Sequence, residues 1–107
     1  MKTKKYDKLV RDRIPEIIKS NSKECVTKQV FGSEKKKYLY KKLIEETKEL
    51  IDSGAVEELA DIQEVILSLA KEMNVSIKEL ERVRQEKADR RGGFSNGIVL
   101  METIEKD

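Results

Sequence analysis

The chain has no histidine and no tryptophan in 107 residues. Without histidine, Ser-His and Cys-His nucleophile designs are excluded, as are zinc and di-iron sites built on imidazole. What remains for chemistry is carboxylate, ammonium, guanidinium and backbone. That inventory suits oxygen-ligated hard cations, Mg²⁺ or Mn²⁺. A single cysteine, Cys25, rules out an intrachain disulfide and fits a reduced, cytoplasmic setting. No apolar run is long enough to span a bilayer. The basic N-terminus has no apolar segment behind it and does not read as a signal peptide. Aromatics make up 5% of the residues and charged side chains 41%, a balance that suits long amphipathic helices better than a sandwich or barrel. The charges nearly cancel, with 23 basic against 21 acidic residues. A mixed surface of that kind argues against strong non-specific nucleic-acid binding. At this length, residues 1–107 read as one domain with a modest core, for which a homodimer or homotetramer is the default.

Taken in order, residues 1–13 read as irregular or weakly extended, and Pro15 suits the first turn of a short helix, Pro15 to Lys19. Residues 25–31, CVTKQVF, are β-branched and loosely alternating, and predict a short strand or, equally, an extended arm. Ser33 is a candidate N-cap for a helix from Glu34 to about Ile51. On it Tyr40, Leu43, Ile44, Thr47, Leu50 and Ile51 share a face. Asp52-Ser53-Gly54 is turn chemistry. A second helix, Ala55 to Met73, carries a stripe of Ala55, Leu59, Ile62, Ile66, Leu69 and Met73, and is apolar nearly all round. Asn74 is its candidate C-cap. Ser76-Ile-Lys-Glu79 matches a capping box and opens a third long helix to about Arg91, which Gly92-Gly93 stops. Residues 97–103 resemble a strand that could pair with 25–31. The expected fold is therefore all-α: a bundle built on an antiparallel helix hairpin plus a third long helix, with minor short β segments.

Two acidic couplets stand out, Glu46-x-x-Glu49 and Glu58-x-x-Asp61. Residues at i and i+3 are neighbours on a helix surface, so each couplet projects together. Around a turn centred near Ser53, Glu49 and Glu58 lie four residues before and five after, and Glu46 and Asp61 seven before and eight after. An antiparallel hairpin makes these two facing pairs at matched heights. Four carboxylates so placed repel one another unless a cation neutralises them. Glu58 also falls beside Val65 and Leu69 on the helical wheel, where a lone charge is costly. A divalent cation supplies the missing charge and can coordinate phosphate. Either couplet alone is more often the decoration of a solvated helix. Glu45 or Glu49 could polarise an attacking water, and spacing does not choose between them.

Glu45-Glu46-Thr-Lys-Glu49 followed by Glu58-Leu-Ala-Asp61 resembles the EExxE and ExxD signature of the all-α nucleoside triphosphate pyrophosphohydrolase superfamily, the MazG-like and phosphoribosyl-ATP pyrophosphohydrolase-like proteins. YDKLVRDRIPEII, from Tyr6, and RRGGF, from Arg90, resemble a small single-domain branch of it. The resemblance implies that Glu46, Glu49, Glu58 and Asp61 are Mg²⁺ ligands. It also implies cleavage of a nucleotide between its α- and β-phosphates. Many MazG members have glycine where this chain has Ala60.

Lys87, Arg90 and Arg91 fall at i, i+3 and i+4. Lys87 continues the Leu80–Val83 line and is expected to point inward. These residues are candidate phosphate-binding groups, although cations at a helix C-terminus are also favourable on their own. Arg11, Asp12 and Arg13 read chiefly as local salt-bridge partners, with contact to substrate or a neighbouring subunit as the alternative. Three functions follow as expectations. One is Mg²⁺-dependent hydrolysis of nucleoside triphosphates to monophosphate and pyrophosphate in nucleotide-pool house-cleaning. The second is the phosphoribosyl-ATP reaction of histidine synthesis. The third is a non-catalytic helical interaction module.

Overall fold

Apolar spacing and turn residues divide the chain into helices, and the structure bears out that division. It is a computed structural model that describes residues 2–107. It is all-α: α1 (Ile14–Ser20), α2 (Gly32–Ser53), α3 (Val56–Glu72) and α4 (Ile77–Arg91), with no strand among the described residues. None of these helices is long and apolar enough to cross a membrane. The chain forms two compact units, the first ending at Val75 and the second spanning Ser76–Asp107.

In the first unit, residues 2–13 carry no helix and lead into α1, with Pro15 in its first turn as expected. α2 begins at Gly32, ahead of Ser33, and no side chain caps it, which corrects the assignment of Ser33 as N-cap. It ends where Gly54 adopts a left-handed φ of 62° and donates its N–H to Leu50 O at 2.8 Å. A residue without Cβ takes that conformation at little cost. α2 and α3 pack against each other across Gly54 and Ala55. α3 closes in a Schellman arrangement: Asn74, at φ 58°, donates to Lys71 O, and Val75 donates to Ala70 O at 2.8 Å.

The core of this unit is Leu39 from α2 with Val65 and Leu69 from α3, joined by half-buried Leu43 and by Leu9 from the N-terminal segment. The packed line on α2 is therefore Leu39, Leu43 and Glu46, at i, i+4 and i+7. Tyr40, Ile44 and Ile51, expected on the inner face, are exposed. The stripe predicted for α3 shifts in the same way: Leu59, Ile66 and Met73 are exposed and only Leu69 is buried. Because α3 is apolar on most sides, its periodicity does not determine which side α2 covers.

The two expected β segments are not strands. Residues 25–31 and 97–103 carry no ladder, and Val26, Ile98, Val99, Leu100 and Met101 are exposed. Alternation alone leaves a segment extended, because a strand exists only when its backbone groups find a partner.

In the second unit, Ser76 Oγ accepts from Glu79 N–H at 3.1 Å and starts α4, as the capping box predicts. Gly92, at φ 82°, stops it and donates to Ala88 O at 2.7 Å. α4 buries no residue, and Lys87 is exposed rather than directed inward. Charge explains this. Between Glu81 and Arg91 the only apolar residues are Val83 and Ala88, and ion pairs such as Arg82–Glu86, at 3.0 Å, run along the helix.

Candidate metal centre

The acidic couplets sit where the two packed helices meet. Glu46 follows Leu39 and Leu43 on the packed line of α2 and is only 5% exposed, the one buried charged residue among those described. A carboxylate in a helix–helix core needs partners for both oxygens. Glu46 has one. Lys42, one turn earlier and only 17% exposed in its side chain, holds Nζ 3.3 Å from Glu46 Oε1. Glu46 Oε2 is buried and accepts no hydrogen bond. From α3, half-buried Glu58 has its own Oε2 in the same condition.

These acids converge. Glu46, Glu58 and Asp61 each place a carboxylate oxygen within 4.8 Å of the others, and so do Glu45, Glu46 and Glu49. Glu46 belongs to both groups and joins them into one cluster across α2 and α3. Burial pushes the Glu58 carboxyl up to about 7 from an ordinary 4.5. The neighbouring Glu49 and Glu46 carboxylates act in the same direction.

Three basic residues meet the cluster. Lys42 also lies 3.4 Å from Glu45 Oε2, and Lys8 Nζ is 3.4 Å from Glu45 Oε1. Arg11 Nη2 donates to Asp61 Oδ1 at 2.6 Å. None of these contacts was expected. Lys42 was legible, since a basic residue four before Glu46 faces it on a helix. Lys8 and Arg11 were not, because they reach across 37 and 50 residues. Arg13 does form the local pair expected of it, with Glu16 at 3.4 Å.

Comparison with protein-family models, with curated proteins and with solved structures gives no match.

Every candidate ligand is a carboxylate oxygen, the donor set of a hard divalent cation such as Mg²⁺ or Mn²⁺. The two buried oxygens without partners fit such a cation, which would satisfy both and offset the burial and the neighbouring charge that raise Glu58. Glu49 is exposed and Glu45 half-buried, so both are open to a water molecule. Lys87, Arg90 and Arg91 lie on α4 in the second unit. All three are exposed, and none forms an ion pair among the described residues.

Proposed function

We propose that the chain is a nucleotide pyrophosphohydrolase dependent on Mg²⁺ or Mn²⁺, of the MazG-like and phosphoribosyl-ATP pyrophosphohydrolase-like kind. It would cleave a nucleoside triphosphate between the α- and β-phosphates, giving monophosphate and pyrophosphate. The observation that carries the proposal is the pair of buried, unpartnered oxygens, Glu46 Oε2 and Glu58 Oε2, inside one carboxylate cluster. A surface cluster can be satisfied by water, whereas these two oxygens are closed to it.

In this account Glu46, Glu49, Glu58 and Asp61 hold the cation. When bound, it contributes charge for phosphate oxygens and an acidified water. Glu45 or Glu49 takes the proton of the attacking water, and their exposure supports either role. The assignment of Lys87, Arg90 and Arg91 to phosphate rests on their spacing alone. The architecture proposed is an antiparallel α2–α3 hairpin with α4 as third helix, in a cytoplasmic homodimer or homotetramer. Self-association is supported by the exposed apolar side chains of α3. Val56, Leu59, Ile62 and Ile66 line a shallow groove of about 440 Å³ on it.

The same groove favours a second possibility, a non-catalytic helical module that binds a partner through α3. Incubation with a panel of nucleoside triphosphates and phosphoribosyl-ATP, with pyrophosphate detection, separates the possibilities. Mg²⁺-dependent pyrophosphate from the triphosphates supports house-cleaning, and from phosphoribosyl-ATP alone it supports the histidine-synthesis reaction. No release from any of them removes the enzyme and leaves the module.

A further inference from the structure

The N-terminal segment is a strap across the carboxylate cluster. Although it has no helix or strand before α1, it is tied to α2 and α3 at four points. Tyr38 Oη donates to Asp7 Oδ1 at 2.6 Å. Lys8 lies against Glu45. Leu9 packs on the Leu39–Val65–Leu69 core. Arg11 donates to Asp61 at 2.6 Å. Leu9 and the Tyr38–Asp7 hydrogen bond already fix the strap, and an exposed ion pair adds little to folding. Arg11 is 56% exposed in its side chain and Asp61 35%. Holding the chain in place therefore does not account for a guanidinium at this carboxylate.

We propose that Arg11 is the anion-binding residue of this site. It rests on Asp61 while the carboxylates carry no cation, and it passes to the phosphoryl oxygens of a polyphosphate ligand once they do. The proposal builds on the cation-site assignment above and adds a residue from outside the two acidic couplets. Three features support it. Asp61 shares its oxygens between Arg11 and the group formed with Glu46 and Glu58, so a cation there competes with the guanidinium for the same carboxylate. A divalent charge and a guanidinium at adjoining positions repel, which loosens Arg11 when the site loads. A loosened, half-exposed guanidinium has a planar fork of donors that matches two phosphate oxygens at once. Of the described basic residues that touch the cluster, Lys8 and Lys42 lie on Glu45 or Glu46, and Arg11 alone contacts Asp61.

The test is a pair of calorimetric titrations on the full chain, Mg²⁺ alone and then inorganic pyrophosphate at saturating Mg²⁺. They are run for wild type, Arg11→Ala, Arg11→Lys and, as a control, Arg13→Ala. The expected signature separates the two ligands. Arg11→Ala binds Mg²⁺ as tightly as wild type or more tightly, because a competitor for Asp61 is gone. It binds pyrophosphate at least about tenfold more weakly, the loss expected for a charge-assisted contact. Arg11→Lys keeps the charge without the fork and falls between the two, and Arg13→Ala matches wild type. Weaker Mg²⁺ binding in Arg11→Ala would make Arg11 a mere support for Asp61 and overturn the proposal. Unchanged pyrophosphate affinity in both Arg11 variants also overturns it. If wild type itself binds no Mg²⁺, the cation site fails and this proposal with it. If wild type binds Mg²⁺ and only the Arg11 comparison is flat, the cation site stands and this proposal alone fails.

Discussion

Glu58 is a carboxyl group held by burial and by two neighbouring acids in a place that suits its proton better than its charge. Its pKa of about 7 in the fold lies above the ordinary 4.5. It therefore binds its proton more tightly in the folded chain than in the unfolded one. In cation-free protein its contribution to stability is full below about 4.5 and is lost as the pH rises through about 7. Melting in chelator is expected to show a Tm that falls from about pH 4.5 to about pH 7 and levels off above it. Glu58→Gln keeps the shape without the charge and should flatten that segment. With Mg²⁺ present the group acts in the other direction, because the cation needs the carboxylate. The Mg²⁺-induced rise in Tm should then grow across the same window, with a proton released on binding. A wild-type Tm that ignores pH there contradicts this account of Glu58. Lys42 gives a second residue-scale prediction. Among the described residues it is the only hydrogen-bonding or ionic partner of buried Glu46, so Lys42→Met should cost about 1–3 kcal/mol in chelator by urea unfolding. Mg²⁺ should restore part of that loss. An equal loss with and without Mg²⁺ would mean that the cation does not reach Glu46.

Among the elements, α2 and α3 carry the fold of the first unit. Leu39 is 3% exposed at its centre, so Leu39→Ala is expected to cost roughly 2–5 kcal/mol by denaturant unfolding. Gly54 adopts φ 62° in the connection, and Gly54→Ala should cost about 1–2 kcal/mol. A neutral result at either position would move the core or the turn elsewhere. Much of this was legible in the sequence. Gly54 and Gly92 marked helix ends, Ser76 marked a helix start, and the i, i+3 couplets predicted the carboxylate convergence. Illegible were the features that depend on what packs against what. Tyr40, Ile44, Leu59 and Ile66 have helical spacing as good as that of the buried residues, and only the partner helix determines which line is covered. CVTKQVF had strand chemistry and no partner strand. Arg11 found Asp61 across 50 residues, a separation that no local pattern encodes.

For the whole molecule, the balance of buried and exposed apolar surface is the notable quantity. Among its described residues the first unit buries only Leu39, Val65, Leu69 and Ala70 of the apolar side chains and leaves Tyr40, Ile44, Ile51, Leu59 and Ile66 exposed. Surfaces of that kind mark an interaction site. Sedimentation of wild type is expected to show a dimer or larger, and Leu59→Asp with Ile66→Asp, in the α3 groove, should shift it to monomer. A wild type that is monomeric at all concentrations contradicts self-association and favours a different partner. The central claim, that the carboxylates of α2 and α3 form a divalent-cation site, is tested most directly by calorimetric titration of Mg²⁺ into wild type and Glu58→Gln near neutral pH. The account predicts saturable binding to wild type, with affinity at least about tenfold weaker in the variant, because a ligating charge is lost. No saturable binding to wild type, or equal affinity in the two proteins, would contradict it.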